Sequence, residues 1–131
     1  MFDFKAIQAA LTTSFDHEVV NPFTKAPSGW FVELATAAHG AAQSRVRGIL
    51  DQMGKRKTSS LTQDEKDGVE LIAARIVGWH GLEDDGMEVV YTPEVAVLTL
   101  TGAGAFWLRQ QLIDAMGDTD RPFTPKTPGT S

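Results

Sequence analysis

The stretch of sequence that decides the fold runs Ile76-Val77-Gly78-Trp79-His80-Gly81-Leu82-Glu83-Asp84-Asp85-Gly86. Its apolar start continues the spacing of a preceding helical segment, which predicts a helix that extends to Val77 and ends at Gly78. The acidic Asp-Asp-Gly run then predicts a turn. Nothing in this arrangement has the pattern of a catalytic centre. We interpret the stretch as a structural junction with the large aromatic Trp79 at its pivot.

The helix before this junction has the clearest start signal in the chain. Residues 62 to 65 read Thr-Gln-Asp-Glu, which matches a capping box. In that motif the threonine hydroxyl accepts from a free backbone N–H, and the glutamate reaches back to the cap. The apolar face of the predicted helix carries Val69, Ile72, Ala73, Ile76 and Val77.

Beyond the junction, Met87 to Tyr91 predicts a short extended run. Thr92-Pro93-Glu94 then predicts a helix start, with proline at the first helical position. The segment from Val95 to Leu100 also alternates β-branched residues, which would suit a strand. The start signal favours a helix there.

Upstream of these helices, residues 17 to 36 predict a β-hairpin. Val19-Val20 and the run from Trp30 to Leu34 are β-type, and residues 21 to 29 supply proline, asparagine and glycine between them. A lone hairpin is marginally stable in water. We therefore expect it to pack on helices or on another chain.

Three further helices complete the predicted fold. They cover residues 4 to 13, then 41 to 53 up to Gly54, and finally 105 to 116 up to Gly117. The predicted fold class is mainly α with a small β-hairpin, a compact single-domain helical bundle over residues 1–117. Residues 118–131 are rich in proline and threonine and predict a flexible tail. The apolar positions on which the three helices rest are Phe4, Ile7, Leu11, Ala42, Val46, Ile49, Leu50, Met53, Leu108, Leu112, Ala115 and Met116.

Composition excludes several classes of function. The 131 residues contain no cysteine, which excludes disulfides, zinc thiolates and a thiol nucleophile. The net charge of −5 disfavours nucleic-acid binding. We see neither a secretory signal nor an apolar run of the roughly 18 residues that a membrane helix needs.

Charge is unevenly distributed along the chain. Residues 45 to 57 hold five basic side chains and one acid, whereas residues 64 to 94 hold nine acids and two basic side chains. Opposite charge of this kind favours electrostatic docking, to itself or to a partner. Solvated helix faces would give the same pattern.

No motif predicts catalysis, a metal site or a cofactor. The three histidines lie in separate segments without ligand spacing, and the acidic turn lacks the alternation and the distal glutamate of a calcium loop. No phosphate-binding glycine loop or nucleophile elbow is present. We therefore expect a protein that is not an enzyme.

Large aromatic and basic side chains are the remaining candidates for function, because they dominate interface hot spots as well as cores. Trp107 lies off the Leu108/Leu112 apolar stripe, which makes it the better candidate for an exposed contact. The predicted protein-binding residues are Trp30, Trp107, Arg109, Arg45 and Arg47.

The run from Gly78 to Gly86, the helix start at 91 to 94 and Trp107-Leu108-Arg109-Gln110-Gln111 together resemble motifs of the tail assembly chaperones of long-tailed bacteriophages. The resemblance implies a small, largely helical protein that binds the tape measure protein, keeps it soluble and helps recruit the tail tube protein. It implies no catalytic residue and no cofactor. It places the protein in the host bacterial cytoplasm during assembly and outside the mature virion.

Two other functions stay open at this point. One is a structural virion component, such as a head–tail connector or tail completion protein. The other is a small host regulatory or adaptor domain. In each case the hairpin edges, the bulky Trp30 and the opposite charges predict a homo-oligomer.

Overall fold

The computed structural model describes residues 13–58 and 60–119, with side chains described up to residue 117. The predicted first helix, residues 4–13, lies outside this part except for Thr13. The predicted tail lies outside it except for Asp118 and Thr119, which continue the last helix. The strands are β1 Ser14–Val20, β2 Pro27–Ala35, β3 Ile76–His80, β4 Glu83–Asp84 and β5 Met87–Glu88; the α-helices are α1 Gly40–Lys55, α2 Leu61–Ala73, α3 Pro93–Leu100 and α4 Phe106–Thr119.

The centre of the fold is an antiparallel sheet in the order β1-β2-β3. Its first two strands form the predicted hairpin, which is confirmed. Trp30, Val32 and Leu34 of β2 are all buried, as expected for alternate residues that share one face of a strand. The two short strands β4 and β5 form a separate hairpin around the predicted acidic turn.

The prediction of a mainly helical bundle is wrong, because the fold is a mixed α+β domain. The predicted helix through Val77 ends at Ala73, and Ile76 begins strand β3 instead. Ile76 pairs with Leu34, and Trp79 pairs with Val32. The third strand thus supplies backbone partners that a lone hairpin lacks.

The start of α2 also differs from the prediction. Ser60 is the N-cap, and its hydroxyl accepts from the backbone N–H of Gln63 at 3.1 Å. Thr62, the predicted cap, lies inside the helix. Serine and threonine both serve as N-caps and serine is the better of the two, which agrees with a start at Ser60, two residues before the predicted one.

The other described helices lie close to their predicted positions. Thr92 caps α3 by accepting from the N–H of Val95, and Pro93 follows at the first position, as predicted. The predicted stops at Gly54 and Gly117 are wrong, because both glycines lie inside their helices. A short 3-10 turn at Ala103–Ala105 separates α3 from α4.

One face of the sheet and the inner faces of α2, α3 and α4 form a single hydrophobic core. Leu108 and Leu112 point into it, as predicted. The side chains buried in the core are Val19, Trp30, Val32, Leu34, Val69, Ile72, Ile76, Ala96, Leu100, Leu108, Leu112 and Met116. Helix α1 lies outside this cluster.

Gly81 fixes how the chain leaves β3. It has a φ of +88°, and a Cβ atom there would lie 2.0 Å from the carbonyl oxygen of Gly29. Only glycine allows the backbones to approach this closely. The chain therefore passes tightly over the start of β2 before it forms the β4–β5 hairpin.

Candidate functional site

Three aromatic rings anchor the junction to the sheet. Trp79 meets Trp30 and Tyr91 edge to face, with ring centroids 5.5 Å and 5.3 Å apart. Its indole Nε1 donates to the carbonyl of Val89 at 2.9 Å. Trp79 thus lies in a strand and not after a helix. Its contacts connect β2, β3 and the segment at Val89 and Tyr91.

Trp30 was predicted to contact a partner, but the structure places it in the core with 7% of its surface exposed. Its indole Nε1 has no hydrogen-bond partner among the described residues. Trp30 cannot reach a partner without a rearrangement of the aromatic cluster.

Tyr91 connects the cluster to a surface groove. Its hydroxyl donates to the carbonyl of Ile76 at 2.9 Å. Burial raises the pKa of this phenol above its usual value, because the charged form would be poorly solvated. The hydroxyl therefore stays neutral and keeps its donor role at ordinary pH.

The first groove, of about 610 Å³, lies between α1 and the segment formed by β3 and α3. Most of its lining residues are apolar or small, and four of them, His39, Arg45, Gln52 and Glu70, carry polar side chains. The lining comprises His39, Arg45, Gly48, Ile49, Gln52, Glu70, Ala73, Ala74, Ile76, Val77, Tyr91, Pro93 and Val97.

The second groove, of about 560 Å³, lies on the other side of α1, between α1, α2 and α4. Leu50, Phe106 and Ile113 line it and are 50%, 62% and 46% exposed. The remaining lining residues are Val46, Glu65, Gly68, Leu71, Ile72, Arg75, Arg109 and Met116.

Two of the five predicted binding residues line a groove. Arg45 lines the first, and Arg109 lines the second. Arg47 is exposed on α1 and lines neither, and Trp107 is 36% exposed on α4 and also lines neither. The structure therefore does not bring the five residues together into one site.

Arg45 and Arg109 both have structural bonds that the sequence did not reveal. Arg45 donates through Nε and Nη2 to the carbonyl of Ala74, at the end of α2. Arg109 donates to the carbonyls of Leu100 and Gly102, after α3, at 2.7 Å and 2.8 Å. A guanidinium at a helix C-terminus satisfies carbonyls that the helix leaves unpaired.

The basic stretch and the acidic stretch of the sequence are joined by an ion pair within the chain. Arg56, directly after α1, forms an ion pair with the buried carboxylate of Asp67 in α2. Gln63 donates to the same carboxylate at 2.9 Å. The hydrogen bond from Arg56 holds the pKa of Asp67 below its usual range. This pair ties the end of α1 to α2.

Gln111 is a further residue that sequence reasoning missed. Its side-chain amide accepts from the N–H of Val20 at 2.8 Å and donates to the carbonyl of the same residue at 3.0 Å. The amide occupies the outer edge of β1, where the homo-oligomer prediction had assumed a free edge. The homo-oligomer stays a prediction, but neither this part of β1 nor Trp30 is available for it.

Within residues 13–58 and 60–119, no three side chains of the metal-binding types lie close enough to hold an ion. No helix in that part of the chain is both long and apolar enough to cross a membrane.

Taken together, the described residues form a small antiparallel α+β domain with one helix between two apolar grooves. Comparison of the chain with protein-family models, with curated proteins and with solved structures finds no match.

Proposed function

We propose that this protein is a tail assembly chaperone of the kind found in long-tailed bacteriophages. In this proposal it binds the tape measure protein in the host bacterial cytoplasm, keeps it soluble and assists assembly of the tail tube protein around it. Residues of the resembling motifs line both grooves: Tyr91 and Pro93 the first, Arg109 the second.

The observation that carries the proposal is the state of the polar groups around the first groove. Tyr91 already donates to Ile76, Arg45 already donates to Ala74, and His39 accepts from the N–H of Ala42. An apolar partner that covers the Tyr91 hydroxyl and the bonded atoms of Arg45 and His39 leaves these bonds intact, so their burial carries only a small penalty. The other polar groups of the lining, from Gln52, Glu70 and the rest of the Arg45 guanidinium, can pair with polar groups of the client. The first groove is suited to apolar side chains.

The shape and charge of the first groove favour a helical client. An amphipathic helix can insert residues spaced i, i+3, i+4 and i+7 into an apolar groove. Arg45 lines this groove, is exposed and gives it a basic side chain. A client helix with acidic residues beside its apolar stripe would complement that charge.

Two neighbouring positions on α1 give a matched test. Ile49 lines the first groove and Leu50 lines the second. The protein is co-expressed with the long downstream gene product, and the soluble client and the co-purified complex are quantified. We expect Ile49→Asp to abolish the complex, because a charge would be buried against an apolar client. Leu50→Asp should retain it.

Two controls make the result interpretable. Thermal unfolding of both variants must show a folded protein. If Ile49→Asp is unstable, Gln52→Glu places a charge on an exposed side chain of the same groove. Trp107→Ala tests the other predicted contact, since a tryptophan anchor supplies about 2 kcal/mol or more of binding. Loss of binding in that variant alone would indicate that the client binds at the outer face of α4.

The proposal fails if the client is equally soluble with and without this protein and no complex survives purification. Mass spectrometry of purified virions then tests for a structural component. Detection of the chain there in stoichiometric amounts would favour a connector or completion protein.

A further inference from the structure

We propose that Glu70 determines which client the first groove accepts, by binding a lysine or arginine that a client helix carries beside its apolar stripe. This assignment, which rests on the proposed function, adds the kind of charge that the client must bring. The lining of the first groove contains one arginine, Arg45, and one acid, Glu70. Arg45 already donates to the carbonyl of Ala74, whereas Glu70 has no such bond.

Helix α2 holds Glu70 at the groove. Glu70, Ala73 and Ala74 all line the groove and follow one another at the spacing of a single helix face. Val69 and Ile72 of the same helix are buried in the core. Because these two side chains fix the rotation of α2, the face that carries Glu70 stays turned towards the groove.

The carboxylate of Glu70 lacks a partner of its own. The side chain is half-buried, and within residues 13–58 and 60–119 nothing forms a hydrogen bond or an ion pair with its carboxylate. Arg56 attracts Glu70 electrostatically, but its guanidinium donates to Asp67. Glu70 is therefore a charged group of the groove that a bound client would cut off from water without supplying a counter-charge from this chain.

This isolation makes Glu70 selective. An ionised carboxylate that is buried without a counter-charge is strongly unfavourable, and a hydrogen-bonded cation offsets much of that cost. A client with an apolar or acidic residue at this point is therefore rejected, whereas a client with lysine or arginine is accepted. Discrimination then arises from the penalty against the wrong client as much as from the attraction of the right one.

Arg45 adds a requirement for an acidic residue near the basic one. The guanidinium of Arg45 lies at the carbonyl of Ala74. Ala74 follows Glu70 by one turn of α2, which is about 6 Å along the helix axis. The groove thus presents a positive and a negative group that are displaced along α2. We expect the client helix to carry its basic and acidic residues within about one or two turns of each other.

Charge variants of Glu70 test the assignment against the long downstream gene product, with the affinity measured by calorimetry. Glu70→Gln keeps the size of the side chain and removes its charge. It should weaken binding about tenfold, because the base of the client is then buried without a partner. Glu70→Lys should weaken binding about a hundredfold, since like charges then meet. Glu70→Asp keeps the carboxylate and should retain most of the affinity.

Asp64 provides a matched control on the same helix. It is exposed and lines neither the first nor the second groove. Asp64→Lys changes the net charge by the same amount as Glu70→Lys, and it should alter the affinity less than about twofold, as exposed charges usually do. Added salt should weaken binding of the natural protein more than binding of Glu70→Gln, because only the natural protein retains the attraction. Thermal unfolding verifies that each variant is folded.

The possible outcomes separate the assignment from the proposed function. Equal affinities of the natural protein and Glu70→Gln would overturn the role of Glu70 while the client stays bound. Equal losses in Glu70→Lys and Asp64→Lys would also overturn it, because overall charge and not the groove would then select the client. If the natural protein forms no complex at all, the proposed function fails and the role of Glu70 fails with it.

Discussion

Strand β2 and helix α1 differ sharply in how far they are buried. In β2 the side chains of Val32 and Leu34 are completely buried between neighbours on both sides. In α1, by contrast, Ala42 is the only buried residue among sixteen. Val46, Ile49 and Leu50 of α1 line the two grooves and do not belong to the central core cluster. Strand β2 therefore contributes to the core of the domain, whereas α1 supplies accessible apolar surface.

The largest expected effect comes from truncating a leucine in each region. Leu34→Ala should lower the free energy of unfolding by about 3 kcal/mol, because it leaves a cavity in the core. Leu50→Ala should cost less than about 1 kcal/mol, because half of that side chain is already in water. Urea unfolding of both variants measures the difference. Similar losses in the two variants would mean that α1 is as tightly packed as β2.

A smaller effect is expected from adding a methyl group to a glycine in each region. Gly81→Ala should destabilise by about 2 kcal/mol or more, because it combines a positive φ with a clash against Gly29. Gly48→Ala, in the middle of α1, meets no atom within 4 Å. It should stabilise by about 0.5–1 kcal/mol through helix propensity. Thermal unfolding of both variants tests the prediction, and a neutral Gly81→Ala would contradict the close approach.

The smallest expected effect is a change in acid stability at the attachment of α1 to α2. The hydrogen bond from Arg56 lowers the pKa of Asp67, so the unfolded chain takes up the proton first as the pH falls. The pair therefore contributes its full stability above the unfolded pKa of about 3.9 and loses it as the pH falls through the lower folded value.

Asp67→Asn should remove this part of the pH dependence. Between pH 5 and pH 3, as rough limits around the aspartate pKa, the variant should lose less stability than the natural protein. Asp64→Asn, an exposed change in the same helix, serves as the control. If Asp64→Asn flattens the acid profile as much as Asp67→Asn does, the Arg56 pair is not its source.

The sequence predicted the local elements of this fold better than their assembly. The hairpin and the Thr92 cap depend on neighbouring residues and are confirmed. The error at Ile76 and Val77 arose because both positions continue the helical apolar stripe of α2. Their strand conformation depends on Leu34, some forty residues earlier, which no local pattern reveals. One misassigned segment was enough to change the fold class.

The site shows the same limit of local reasoning. The exposure of Trp107 followed from its position beside the Leu108 stripe, and the structure agrees. The burial of Trp30 required β3, which the sequence analysis had placed in a helix. The bonds of Arg45 and Arg109 to carbonyl groups are tertiary contacts, so the sequence could identify these residues but not their roles.

The amide of Gln111 has a consequence for the behaviour of the protein at high concentration. At Val20 it makes the two bonds that a residue of an added strand would make. At the opposite margin of the sheet, Tyr91 bonds the carbonyl of Ile76. A sheet whose margins are occupied by side chains offers no template at those points for edge-to-edge growth into fibres. At Val20 and Ile76 the sheet is thus closed to an added strand, while the two grooves leave apolar side chains accessible.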